Sequence, residues 1–237
     1  MSTVVLMYHA IVGDAHHLDK VAPDDQSYAV SSTRLAEHLA LFAGHDVLVT
    51  FDDGDAGWYM EALPVLEQFA AKALFFVTPT LIGTPSYCDW EALGALSAAG
   101  HEIGAHGLTH QFLPDLDESS CRVELMESKR IIEARLATKV RFMSFPGGRY
   151  GEREVRLARA VGYEACYTSV PGRMQGDEFC RPRIAVRADS SVEWLNGVVS
   201  GDRVLWSKMK LSYLIKRIVK SVLGNRGYHE LYRFFRG

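Results

Sequence analysis

Cysteine is scarce in this chain. Its 237 residues hold four, Cys88, Cys121, Cys166 and Cys180, with no C-x-x-C pair and no zinc-ribbon spacing. That excludes a disulfide scaffold and a dithiol redox centre, and buried, reduced thiols are the expectation. Long apolar runs are missing too: nowhere do about 18 apolar residues follow one another, so no spanning helix is expected. The first residues carry no basic stretch, and His9 interrupts their apolar run, so no secretion signal is expected and cytoplasmic is the expected address. No internal repeat is present.

Charge of one sign is nearly absent from the tail. Residues 203–237 hold nine Lys and Arg against one acid, leaving 17 basic and 28 acidic residues before them, about +8 against −11. The expected division is therefore a single domain over 1–202, long enough for one core, and a basic helical extension over 203–237. The acidic body and the lack of any recognition motif argue against a nucleic-acid partner.

Short β-rich runs alternate with helix-period segments. Strands are expected at Thr3–Tyr8, Asp46–Phe51, Ala73–Thr78, His101–Ala105, Val140–Phe145, Glu164–Thr168 and Arg183–Arg187. Helices are expected at Ser32–Phe42, Ala62–Ala71, Asp89–Ala99, Asp117–Ala137 and Glu152–Val161, with Ser32, Asp89 and Asp117 as N-caps and Gly100 and Gly162 at the C-terminal ends. This alternation implies a mostly parallel α/β sheet, open or closed into a barrel, with catalytic groups at the C-terminal ends of its strands. The one long loop expected is Ile11–Ser31.

Three polar clusters stand at such strand ends. Thr50-Phe51-Asp52-Asp53-Gly54 sets two adjacent carboxylates before a glycine: a solvated turn, or one carboxylate for a metal and one for a water's proton. His106-Gly107-Leu108-Thr109-His110 puts two imidazoles four residues apart, which on one face of a helical turn converge on a cation. One Asp and two His leave positions for water and substrate, as a catalytic zinc site requires. Ser144-Phe145-Pro146-Gly147-Gly148-Arg149-Tyr150 is a Pro-Gly-Gly turn whose backbone N–H groups can serve an oxyanion. His9 ends the first strand as a rim residue or an acid.

In order, these clusters resemble the motifs of the polysaccharide deacetylase family, also called the NodB-homology or carbohydrate esterase family 4 group, and the resemblance covers roughly residues 3–190. It implies a single-domain, distorted or incomplete (β/α) barrel. It gives Asp52 as catalytic base, Asp53, His106 and His110 as metal ligands, and Pro146, Gly147 and Gly148 as the oxyanion and substrate turn. The metal implied is zinc, with cobalt, nickel or manganese as alternatives. Val5–Ile11 resembles the opening of a circularly permuted branch, in which a histidine on the first strand is the acid; His9 inherits that role. That branch includes exopolysaccharide deacetylases and enzymes of cell-envelope glycan assembly.

The chain departs from the family pattern in three places. Ser144 replaces the Arg that orients the base, for which Arg149, Arg181 or Arg183 are substitutes; Ala165–Ser169 stands where an Asp-Trp motif is expected; and no Leu-x-His element precedes the tail. The implied reaction is removal of an acetyl group from an N-acetylated glycan. Alternatives are a deformylase or other amide hydrolase of the same fold, and a non-catalytic glycan-binding or membrane-associated protein. In the tail, Leu211, Leu214, Ile215, Ile218 and Val222 share a helical face over 206–223, with Lys208, Lys216, Arg217 and Lys220 largely off it. Such a helix packs on the barrel or lies on anionic lipid, giving a possible peripheral membrane contact.

Overall fold

The structure, a computed structural model, describes residues 2–13, 18–23, 25–216 and 218. Eleven strands are found among them: β1 (Ser2–Tyr8), β2 (Ile11–Val12), β3 (Val30–Ser31), β4 (Val47–Asp53), β5 (Ala73–Val77), β6 (Glu102–Ala105), β7 (Phe142–Ser144), β8 (Ala165–Tyr167), β9 (Met174–Gln175), β10 (Cys180–Arg181) and β11 (Ile184–Ala185). The helices between and after them are α1 (Ser32–Leu41), α2 (Leu63–Gln68), α3 (Trp90–Ala98), α4 (Glu118–Leu136), α5 (Glu152–Val161) and α6 (Val192–Ser200).

The main sheet runs β10-β8-β7-β6-β5-β4-β1-β11, every neighbouring pair parallel. Its two edge strands, β10 and β11, are separated in the chain only by Pro182 and Arg183. One short stretch therefore pairs with β8 where it begins and with β1 where it ends, and this bent stave brings the sheet's edges together. The fold is a distorted (β/α) barrel, as expected from the sequence.

Alternation along the strands divides the apolar residues between two layers. Val5, Leu74, Phe76, Phe142, Ala165 and Tyr167 pack together within the barrel, while Val4, Leu6, Tyr8, Phe51 and Phe75 belong to the larger core under the helices. Phe51 and Phe75 stack at 4.7 Å, with Trp58 at 5.0 Å from Phe75. These three rings are fully buried. Each contributes about 1.5–3 kcal/mol or more of burial free energy, directly beneath the ends of β4 and β5.

Helix termini follow local chemistry. Asp89 and Asp117 cap α3 and α4 by accepting the Ala92 and Ser120 N–H groups, both at 2.8 Å. For α1 the cap is Ser31, not Ser32, because its hydroxyl accepts the Arg34 N–H at 3.1 Å. Gly162 closes α5, whereas α3 ends on Ala99 with Gly100 one residue beyond. The described residues of Ile11–Ser31 hold more regular structure than the expected loop: β2 and β3 pair in parallel, and Leu18–Lys20 and Gln26–Tyr28 form 3-10 turns. All four cysteines are free, three of them buried. Among the described residues no helix is long and apolar enough to cross a membrane.

Residues 203–216 are helical. Their first turns pack on the domain: Trp206 is buried and donates its Nε1–H to the Val198 carbonyl at 3.1 Å, and Leu205 and Met209 lie against the core. Of the expected tail helix, Val222 on its apolar face and Arg217 and Lys220 off that face lie outside the described residues.

Candidate active site

The residues singled out in the sequence gather at the C-terminal ends of the barrel strands, where parallel sheets present their loops. Asp52 and Asp53 finish β4, His9 follows β1, His106 follows β6, Ser144 ends β7, and Pro146–Gly148 turn directly after it.

The adjacent carboxylates reach one cleft because β4 stops being regular. In an extended strand, successive side chains point to opposite faces. Asp52 shares the inward face with Thr50, so regular alternation would send Asp53 toward the helices with Phe51. Asp53 instead has φ of 88°, in the left-handed region. That backbone is costly for a side chain with a Cβ, and it turns the second carboxylate into the same cleft.

The histidine pair converges, but not through a helical turn. Residues 106–110 form an irregular loop, with Gly107 at φ 72° and His110 at φ 62°. Glu124, buried on α4, fixes this loop: its Oε2 accepts the Leu108 and Thr109 N–H groups at 2.8 and 3.0 Å, and its Oε1 accepts the Thr109 hydroxyl at 2.6 Å. His106 is fixed from β7. Its Nδ1 lies 3.0 Å from the Ser144 carbonyl, which can only accept; with the proton on Nδ1 the Nε2 lone pair faces the cleft. The Ser144 hydroxyl also contacts Nδ1.

Three ligand atoms meet here. His106 Nε2 and His110 Nε2 lie 3.2 and 3.1 Å from Asp53 Oδ1, and one ligand atom from each of the three residues falls within 4.8 Å of the others. Yet among the described residues buried Asp53 Oδ1 makes no hydrogen bond of good geometry, although two imidazole nitrogens are so near. Atoms that crowd together without aligned donors fit a shared cation better than a hydrogen-bonded cluster. The donor set of one carboxylate and two imidazoles suits zinc and other divalent first-row metals.

Asp52 is held differently. Arg183, itself buried, donates from Nη1 to Oδ1 and from Nη2 to Oδ2, both at 2.7 Å. The same guanidinium donates to the Thr50 hydroxyl and the Thr168 carbonyl, and lies over the Phe76 ring. Arg149 pairs with Asp115, and Arg181 with the Tyr167 hydroxyl. Of the three arginines left open by the sequence, Arg183 is the one that hydrogen-bonds Asp52. Burial alone would raise the Asp52 carboxyl, but Arg183, then His106 and His9, outweigh it and hold it below the ordinary range. Burial is likewise outweighed at Asp53, by His106 and His110, and the carboxyl lies well below the usual value.

His9 Nε2 stands 3.9 Å from Asp53 Oδ2. Its carbonyl accepts the Trp58 indole N–H at 2.8 Å, its ring lies against Tyr28 at 4.4 Å, and its buried Nδ1 has no hydrogen-bond partner among the described residues. Burial lowers its pKa, against the pull of Asp53 and Asp52. In the turn after β7, Pro146 has no N–H and the Gly148 N–H is taken by the Phe145 carbonyl at 2.8 Å, so of the three residues expected to serve an oxyanion only Gly147 has an N–H not engaged within that turn.

Two residues of the site escape a reading of the sequence. Tyr28 is wedged between His9 and Arg187, whose Nη2 donates to its hydroxyl at 2.7 Å. Asp25 is buried beside Asp53: burial, then the Asp53 carboxylate, pushes its carboxyl up to about 8. Both belong to the segment between β2 and β3, where Asp24-Asp25 looks like an ordinary solvated loop. Only the Tyr28 aromatic gave any signal.

A (β/α) barrel whose strand ends bring one carboxylate and two imidazoles to a common point, beside a second carboxylate clamped by arginine, has the framework of a metal-assisted hydrolase. The chain belongs to the polysaccharide deacetylase family, whose profile matches residues 42–166. It is 30% identical to YxkH of Bacillus subtilis over 132 residues, 56% of this chain and 47% of that protein. It is 26% identical to a peptidoglycan-N-acetylglucosamine deacetylase of Bacillus cereus over 119 residues, 50% of this chain and 54% of that one. The match thus spans about half the length of these curated relatives. Among solved structures, the Streptococcus pyogenes deacetylase PplD, in complex with acetate, superposes with a TM-score of 0.73 at 20% identity, covering 84% of this chain and 98% of that one. His9 and Arg183 lie outside the family-matched stretch, so their roles rest on geometry.

Proposed function

We propose that this protein removes the acetyl group from the nitrogen of an N-acetylated amino sugar in a polysaccharide, oligosaccharide or lipid-linked glycan, with a divalent cation, zinc first, held by Asp53, His106 and His110. The carrying observation is the convergence of those three ligand atoms within 4.8 Å, next to an Asp52 held in its charged form by two hydrogen bonds from Arg183. The B. cereus relative, named for N-acetylglucosamine, makes that sugar the first candidate.

Bound there, a divalent cation acidifies water and polarises a carbonyl. Asp52 takes the proton of the attacking water; being a buried carboxylate with both oxygens on Arg183, it stays charged and fixed in direction. The Gly147 N–H donates to the carbonyl oxygen as negative charge builds on it. His9, on the opposite rim, gives a proton to the departing amine. The Tyr28 ring holds that imidazole in place.

The test is acetate release from N-acetylglucosamine oligomers and lipid-linked sugars, using chelator-stripped protein with and without restored zinc. Asp52→Asn is expected to keep the metal and lose roughly 10²–10⁴-fold in kcat. Full turnover after chelation, or in Asp52→Asn, would sink the mechanism; formate in place of acetate would reassign the acyl group.

A further inference from the structure

We infer that the C-terminal helix is two-faced and docks the domain on an anionic lipid surface. The inference stands apart from the catalytic reading, because it uses none of the site's residues. One face of the helix is the anchor already described, formed by Leu205, Trp206 and Met209. On the other, Val204, Leu211, Leu214 and Ile215 are 63, 58, 41 and 51% exposed. At about 100° of rotation per residue, the anchoring three span an arc of about 100°, and the exposed four span an arc of about the same width centred on the opposite side.

Charge selects the occupant of the exposed stripe. On the same helical projection Arg203 and Lys210 border one edge and Lys208 the other, and all three are exposed. None of them is in an ion pair among the described residues. An apolar stripe flanked by cations on a helix whose first turns pack on the domain matches the boundary between lipid headgroups and acyl chains, with the cations at the level of anionic headgroups. The body, at about −11, is repelled by the same surface, and the tail, at about +8, is attracted. The domain is thereby held by this one edge.

The experiment is vesicle co-sedimentation of the full chain. It uses phosphatidylcholine vesicles with and without phosphatidylglycerol, at low and high salt, alongside light scattering and thermal unfolding in solution. Binding is expected only to the anionic vesicles, weakening as salt rises. Arg203→Gln/Lys208→Gln/Lys210→Gln should lower partitioning roughly a hundred-fold, from about five-fold per charge. Leu211→Glu/Ile215→Glu should abolish it while acetate release from soluble oligomers stays unchanged. Equal or absent binding to both vesicle types overturns the inference. So does a dimer that the Leu211→Glu/Ile215→Glu variant breaks, since the stripe then faces a second copy. So, too, does a lower melting temperature of that variant with no change in vesicle binding, since the stripe is then covered by the chain itself.

Discussion

Asp52 and Asp53 are neighbours buried to almost the same degree, 2 and 5% exposed, yet their surroundings give them different chemistry. Asp53 faces two imidazoles and keeps one oxygen without a hydrogen bond among the described residues, open to a cation; Asp52 has both oxygens on a guanidinium. Arg183 is what separates the two. Its planar fork matches both Asp52 oxygens at once, which a lysine cannot do. Arg183→Lys is therefore expected to fold and retain the metal but to lower kcat by one to two orders of magnitude, with little effect on KM. Arg183→Met should cost roughly 3–5 kcal/mol of stability, because it leaves a buried carboxylate without its partner. Steady-state kinetics and chemical denaturation check both; Arg183→Met with unchanged stability and turnover would remove the arginine from the site.

At the scale of elements, the turn after β4 joins the site to the segment that carries Tyr28 and Asp25. The Asp55 Oδ1 accepts the Ile11 and Gly57 N–H groups at 3.2 and 2.9 Å, tying β2 against that turn. The approach is so close that a Cβ on Gly57 would stand 1.7 Å from the Ile11 carbonyl oxygen. Gly57→Ala must push β2 away, costing about 1–3 kcal/mol or more and displacing His9, two residues before Ile11. A denaturation midpoint and kcat both as in the parent would refute this. The sequence announced the longer barrel strands well, because strands buried on both sides are short, unbroken apolar runs such as Ala73–Val77, but it gave no sign of the two-residue β2, β3, β9 and β10. It announced the Asp and His pairs as well, since strand-end clusters stand out against apolar neighbours. It hid α6, whose Gly197 and β-branched Val192, Val198 and Val199 obscure helical spacing. It also left the partner of Asp52 open, because Arg183 lies 131 residues away and only barrel closure brings them together. The 106–110 stretch is an irregular loop and not the helical turn its spacing implies, because its shape comes from Glu124 on α4 and not from its own residues.

For the whole molecule, the proposed ligands tie parts of the barrel that otherwise meet only through packing. Asp53 ends β4, while His106 and His110 sit on the loop after β6, two strands away, with β5 between them. Without a cation, crowded polar atoms and a left-handed Asp53 and His110 are all carried by the fold. A cation that binds the folded arrangement and not the unfolded chain draws the equilibrium toward folding by mass action. At a free concentration about 1,000-fold above Kd this amounts to about 4 kcal/mol. At about 2–4 °C per kcal/mol for a chain of this size, the melting temperature of chelator-treated protein should rise roughly 10 °C when zinc is restored. Asp53→Asn and His110→Ala should lose the rise, and Asp52→Asn, which keeps all three ligands, should retain it. An equal rise in Asp53→Asn would mean that zinc binds elsewhere on the chain, and no rise in the parent would mean that these three side chains do not hold it.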